Sequence, residues 1–236
     1  MIKTDLLPVA ALALLLTLCA LFAIDPLLWL GEFSHRAPLA ASFVKFALLA
    51  TAGELLGARI ASGRYPGTEF GLLPKALVWG LLGILIKLAF VVFATGVPVL
   101  LGQLGLEQAT TLLGGPLNGD KLLLAFAISL ALNLIFAPLL MITHKVTDLH
   151  IQLHHGRLGS LLRPIDVGQR LAQIDWRAMW SFVFKKTIPL FWIPAHTITF
   201  LLPAQYQVLF AAALGVLLGV LLALPARSPA PLAALS

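Results

Sequence analysis

The chain has 236 residues, 60% of them apolar and only 11% charged, and carries a formal net charge of +6. A soluble domain coats itself with roughly a quarter charged residues, so this composition excludes an ordinary water-soluble fold and makes lipid the main solvent. The basic residues are scattered singly between apolar blocks, with no basic stripe interleaved with aromatics, which argues against a nucleic-acid partner.

Apolar blocks long enough to cross a bilayer follow one another along the chain. The first, Leu6 to Ile24, exceeds the ~7–15-residue core of a signal peptide and is followed by no small-x-small cleavage site, so it reads as an uncleaved span. Cys19 lies inside it and is the only cysteine, which rules out an intramolecular disulfide or a cysteine-based metal site. Further blocks run Pro38 to Ala58, Leu77 to Leu101, Leu122 to Ile142, Thr187 to Leu202 and Val208 to Leu224. Together they predict an all-α, polytopic transmembrane bundle of about six spans, one domain over residues 1–236.

The fifth block is the shortest and carries Pro189, Pro194 and Pro203. Proline donates no amide hydrogen, so the block is predicted to kink or break between Pro189 and Pro194, with freed carbonyls taken by Thr197, Thr199, water or a neighbouring helix. The longest connection, residues 144–184, holds most of the polar residues. Within it Val167, Leu171, Ile174 and Trp180 fall near one side of a helix, with Arg170, Gln173 and Arg177 between them, which predicts one surface-lying amphipathic helix. His150, His154 and His155 beside Asp148 have the only metal-like spacing, but they sit in a polar loop without a fixed fourth ligand, and no metal or other cofactor is expected.

Charge placement sets the topology. Assigning alternate loops to opposite sides collects Lys3, Arg59, Arg64, Lys75, Lys145, Arg157, Arg163, Arg170, Arg177 and Arg227 on one side and only Arg36 and Lys121 on the other. Cytoplasmic loops retain Lys and Arg, so both termini are expected to be cytoplasmic, in a bacterial-type plasma membrane. Two Gly-x3-Gly pairs, Gly53 with Gly57 and Gly215 with Gly219, together with Gly80 and Gly83, mark smooth faces where helices can approach closely.

Polar groups at membrane depth are expensive, about 2.5–3.5 kcal/mol for a central charge on the insertion scale. At ~1.5 Å per residue, Lys45, Lys87, Asn133 and His196 come near the midplane, with Glu54 closer to the inner surface. One reading places Lys45, Glu54, Lys87, Asn133, Trp192, His196 and Thr199 around a shared polar interior, with Lys45 and Lys87 biasing it toward anions. The other makes them packing groups: Glu54 bridged to Lys87 or Arg59, Lys45 snorkelling outward, and Asn133 and His196 bonded to backbone freed by proline.

Trp192, Pro194, His196, Thr199, Phe200, Pro203 and Gln207 follow the rhythm of the C-terminal signature of the Mpv17/PMP22 family of small integral membrane proteins. Thr51-Ala-Gly-Glu-Leu-Leu-Gly57 resembles that family's Gly-rich first conserved helix, and Phe136-Ala-Pro138 its Phe-Ala-Pro segment. The chain departs from the pattern at Arg59-Ile60, where the family has Gly-Asp, and carries His, Thr and Gln where Gln, Asn and Arg are usual. The resemblance implies a channel for small solutes. The reading is therefore a non-enzymatic membrane channel or facilitator for small, anionic solutes, with the bilayer as its partner and a homo-oligomer compatible with it. Its rivals are a non-transporting scaffold and a membrane-embedded enzyme using His196 with Glu54.

Overall fold

A computed structural model of the chain describes residues 26–223. The predicted span Leu6 to Ile24 lies outside the described residues. Those described are helical, without a β-strand among them. The helices are α1 (Pro26–Arg36), α2 (Pro38–Ser62), α3 (Leu72–Gln103), α4 (Ala109–Leu112), α5 (Gly119–Ala131), α6 (Ala137–Leu153), α7 (Val167–Ala172), α8 (Trp176–Ala178), α9 (Ile193–Leu201) and α10 (Ala204–Ala223). Leu132–Phe136 joins α5 to α6 as a π-helical segment, and Met179–Trp192 joins α8 to α9 in the same way.

Four helical stretches are long and apolar enough to cross a membrane: Pro38–Ser62, Thr68–Gln103, Gly119–Leu153 and Ala204–Leu221. They contain the predicted second, third and fourth blocks, running past several of their ends, and cover the sixth as far as Leu221. The third and fourth blocks gain most, because polar residues such as Lys75, His144 and Asp148 find partners inside the bundle and so need not end the helix.

The fifth block keeps its helical winding through Pro189 and Pro194, and its adaptation to proline is a change of pitch. Over Met179–Trp192 the helix is π-wound, and the Ile193 amide bonds to the Ile188 carbonyl five residues back. The Leu132–Phe136 segment closes likewise, with the Ala137 amide on the Leu132 carbonyl. Each π segment ends two residues before a proline, Pro138 and Pro194. A proline clashes with the carbonyl four residues back and lacks its own donor, and a widened turn accommodates both effects without unwinding the helix.

The single amphipathic helix predicted over Val167 to Trp180 is instead two helices. Asp166 accepts from the Gln169 amide at 2.9 Å and Asp175 from the Ala178 amide at 2.9 Å. Each carboxylate caps a new helix start, so the winding stops after Ala172 and begins again at Trp176, which leads directly into the π segment.

Glycine sets the closest packing. A Cβ on Gly53 would lie 2.9 Å from the Val216 Cα, one on Gly57 3.1 Å from the Gly219 carbonyl oxygen, and one on Gly219 2.8 Å from that of Gly53. The two Gly-x3-Gly pairs therefore face each other, and α2 and α10 run parallel. On α3, Gly80 and Gly83 receive the rings of Phe43 and Phe46. Glu54 meets Lys75 and Trp79 while Lys45 lies near Lys87, so α3 is antiparallel to α2. Asp148, near the end of α6, also meets Lys75, which puts that end beside the start of α3. Because α10 starts at the opposite end, beside Ser34 and Lys45, the chain must run the length of the bundle between Leu153 and Ala204. Met179–Leu201 makes that run. Its first part packs Met179, Val183 and Phe184 against Ile142 and Val146, and its last part lies along α5.

Candidate functional site

The bundle holds a partly open cavity of about 300 Å³. Its walls are mostly apolar, with Phe46 and Ala50 from α2, Ile86 and Phe90 from α3, Leu140 and Met141 from α6, and Ala211 and Leu218 from α10. Helix α10 packs on α2, with α9 and α1 touching it as well. The cavity occupies the space between α10 and the wall formed by α6 and the first π segment.

Polar groups enter the cavity in two clusters. The first is built on Glu54. Its Oε1 accepts from Trp79 Nε1 at 2.8 Å and lies 2.8 Å from His144 Nε2, while its Oε2 accepts from Lys75 Nζ at 2.7 Å. Lys75 is shared with Asp148, whose other oxygen accepts from Gln152 Nε2 at 2.8 Å. The His144 ring lies against the Trp79 indole, centroids 4.4 Å apart. Three helices, α2, α3 and α6, are tied here by one ammonium between two carboxylates. Lys75 is 7% exposed, and charges this buried persist only when paired and hydrogen-bonded.

The second cluster sits at the π segments. Asn133 is fully buried; its Nδ2 donates to the Ser129 carbonyl at 2.8 Å and lies 3.0 Å from His196 Nδ1. The His196 ring stacks on Trp192 at 5.1 Å and meets Phe90 edge-on at 5.7 Å. Ser129 Oγ donates to the Ile193 carbonyl at 2.7 Å, and Thr197 donates to the same oxygen at 2.8 Å. Two side-chain hydroxyls therefore converge on that one carbonyl. Asn133, Phe136, Ala137, Trp192 and His196 all line the cavity, so both π segments deliver side chains to it.

Of the seven residues predicted to share a polar interior, Glu54, Asn133, Trp192 and His196 do line one cavity. Lys45 and Lys87 do not: they line a separate pocket of about 220 Å³ at the end where α2 and α10 begin. Thr199 is fully buried and donates to the Ala195 carbonyl at 2.9 Å. Glu54 pairs with Lys75, and neither Lys87 nor Arg59 is its partner; the Arg59 guanidinium lies over the Tyr65 ring. Lys45 is 5% exposed and donates to Ser34 Oγ at 2.6 Å, so it does not snorkel outward. Depth arithmetic missed Lys75, Trp79, His144 and Asp148, because it ranks residues by level along a helix and says nothing of the direction they face. His150 Nε2 lies 2.9 Å from the Ser160 carbonyl and its ring stands 4.7 Å from that of His154.

Compared with known proteins, the chain matches no family model, no curated protein and no solved structure.

Proposed function

We propose that this chain is an integral membrane channel or facilitator whose solute occupies the cavity between α10 and α6. The observation that carries the reading is the cavity itself: at about 300 Å³ it lies at the lower end of the range for ligand sites, and all the long helices contribute to it. A packed scaffold needs no such space. Apolar walls with two separated hydrogen-bonding clusters suit a small uncharged solute with an apolar body and polar ends. The anionic preference expected from Lys45 and Lys87 does not carry over to this cavity, since its acid is Glu54 and neither lysine lines it. The reading is non-enzymatic. Glu54 bonds with Lys75, Trp79 and His144 and His196 with Asn133, so the two proposed catalytic partners share no bond.

In the same reading Met179–Leu201 is a further crossing, wide-turned at its prolines, and Leu6 to Ile24 is another, giving six spans with both termini cytoplasmic. The ten-to-two division of Lys and Arg between the loops supports that orientation. The order of the Gly-rich, Phe-Ala-Pro and Trp-x-Pro segments supports kinship with the Mpv17/PMP22 family.

Gly215 provides the test. It lines the cavity, and a Cβ there would meet nothing within 4 Å. Gly215→Phe should fill the cavity without straining the backbone. In proteoliposomes, shrinkage and recovery with small diols should be faster than in empty liposomes and should fall to the empty-liposome rate in Gly215→Phe. Equal rates in wild type and variant, with the variant folded, would favour the scaffold.

A further inference from the structure

A second pocket, at the opposite end of α2 from Glu54, has a different chemistry. Lys45 and Lys87 both line it, and Ser34, His35, Ser42 and Gln205 are the other polar groups. Among the described residues no carboxylate lines it. The nearest acid on α1, Glu32, is exposed and bonded to Arg36 at 3.2 Å. Lys45 is only 5% exposed, yet its one hydrogen-bond partner among the described residues is the neutral Ser34 hydroxyl, whose own proton goes to the Leu30 carbonyl. An ammonium has three protons to donate, so two remain. Lys87 makes no hydrogen bond or ion pair among the described residues, and it lines the same pocket as Lys45. The pocket is well separated from the acidic cluster along the helices. Lys45 lies nine residues from Glu54 and Lys87 twelve from Lys75, about 14 and 18 Å along their helices.

Two like charges in a partly buried pocket repel, and each carries a desolvation cost that an opposite charge offsets most directly. At the other end of the same helices the chain meets this need with Glu54 and Asp148. At this end the described residues supply cations and neutral donors only, with room of about 220 Å³ between them. We propose that this pocket binds a small oxyanion, a phosphate or carboxylate group, held between the Lys45 and Lys87 ammonium groups. Ser42 is no donor to it, since its hydroxyl bonds the Pro38 carbonyl at 2.7 Å, whereas the Gln205 amide and the His35 ring stand at the rim. Phosphate can come from solution or from a lipid headgroup, and the chemistry at the lysines is the same. The site stands whether or not a solute crosses the larger cavity, with which it shares no lining residue.

The test uses the full chain in phosphatidylcholine nanodiscs, titrated with inorganic phosphate and followed by calorimetry and by the thermal unfolding midpoint. Saturable binding that raises the midpoint is expected. Lys87→Met should weaken it about tenfold or more, the weight of one charge-assisted hydrogen bond, and Lys87→Arg should keep most of it. Without anion, Lys87→Met should unfold no earlier than wild type, because it removes a repulsion and breaks no bond. A parallel arm places the protein in mixed phosphatidylglycerol and phosphatidylcholine without phosphate and counts retained lipid by native mass spectrometry. Phosphate binding assigns the site to a free anion; Lys87-dependent retention of phosphatidylglycerol without phosphate binding assigns it to a headgroup. Wild-type protein that binds no phosphate and retains no phosphatidylglycerol above its share overturns the proposal, as does binding or retention that Lys87→Met leaves unchanged.

Discussion

Gly219 stands with its Cα against the backbone of Gly53, so close that a Cβ there would lie 2.8 Å from the Gly53 carbonyl oxygen. In lipid, where apolar side chains gain little by leaving their surroundings, close backbone approach of this kind is a main source of helix association. Gly53→Ala and Gly219→Ala should each cost about 1–3 kcal/mol, because backbone must move to admit the methyl. Gly215→Ala, on the same helix as Gly219 but facing open space, should be neutral or gain up to about 1 kcal/mol from helix propensity. Unfolding in mixed micelles measures all three. Equal losses at Gly215 and Gly219 would mean that the two helices do not meet along this seam.

The charge tie at the other face of α2 makes a sharper prediction about sign. Lys75→Met leaves the Glu54 and Asp148 carboxylates buried together without their shared cation, and should cost about 3–5 kcal/mol. Glu54→Gln removes one of two acids and leaves Lys75 with Asp148, so its loss should be smaller. Combining the two changes should recover part of the Lys75→Met loss. Strict additivity of the three free energies would show that Glu54 and Lys75 do not act on one another.

The long apolar blocks are readable in the sequence because the bilayer fixes how much hydrocarbon-compatible chain a crossing needs. Helix ends are not, because a charged residue ends a block on a hydropathy scale even where, as with Asp148, a partner 73 residues away lets the helix continue. The Gly-x3-Gly pairs announce close approach but cannot say that they face each other. Asn133 and His196 share a depth and do meet. Lys87 has a similar depth yet faces another pocket, since spacing from a loop fixes height and leaves direction open. The proline-rich block reads as a kink or break. That prolines can be met by widening the turn ahead of them follows from physics, but the sequence does not choose between a gap, a bend and a change of pitch.

The layout can be read directly by labelling single cysteines, with Cys19 replaced, at three exposed positions: Gln103 at the end of α3, Gln152 near the end of α6 and Ala204 at the start of α10. If Met179–Leu201 crosses the membrane, a membrane-impermeant thiol reagent should label Gln103→Cys and Ala204→Cys from one side and Gln152→Cys from the other. Ala204→Cys reacting on the same side as Gln152→Cys would leave the π-helical segment as a re-entrant element and remove one span.

Asn133 separates a role in packing from a role toward solute. Its bond to His196 joins the two π segments, but side-chain hydrogen bonds between membrane helices average only about 0.6 kcal/mol in double-mutant cycles and reach about 1.7 at most. The Ser129 carbonyl that Asn133 also serves accepts the Leu132 amide as well, so Asn133→Leu, which keeps the branching and heavy-atom count of the side chain, leaves that oxygen satisfied. With the bulkier side chain absorbed by the adjoining cavity, the stability loss should stay below about 3 kcal/mol. The cavity changes more than the fold. The substituted side chain would present no hydrogen-bonding group, and His196 Nδ1 would lose the amide that fixes its tautomer and ring orientation. In proteoliposome flux, Asn133→Leu should lower the rate for diols while sparing solutes of similar size with fewer hydroxyls, and His196→Phe should act in the same direction. A variant that unfolds by several kcal/mol, or one that lowers all solutes in proportion, would place Asn133 among the packing groups and remove the polar cluster from the solute's path.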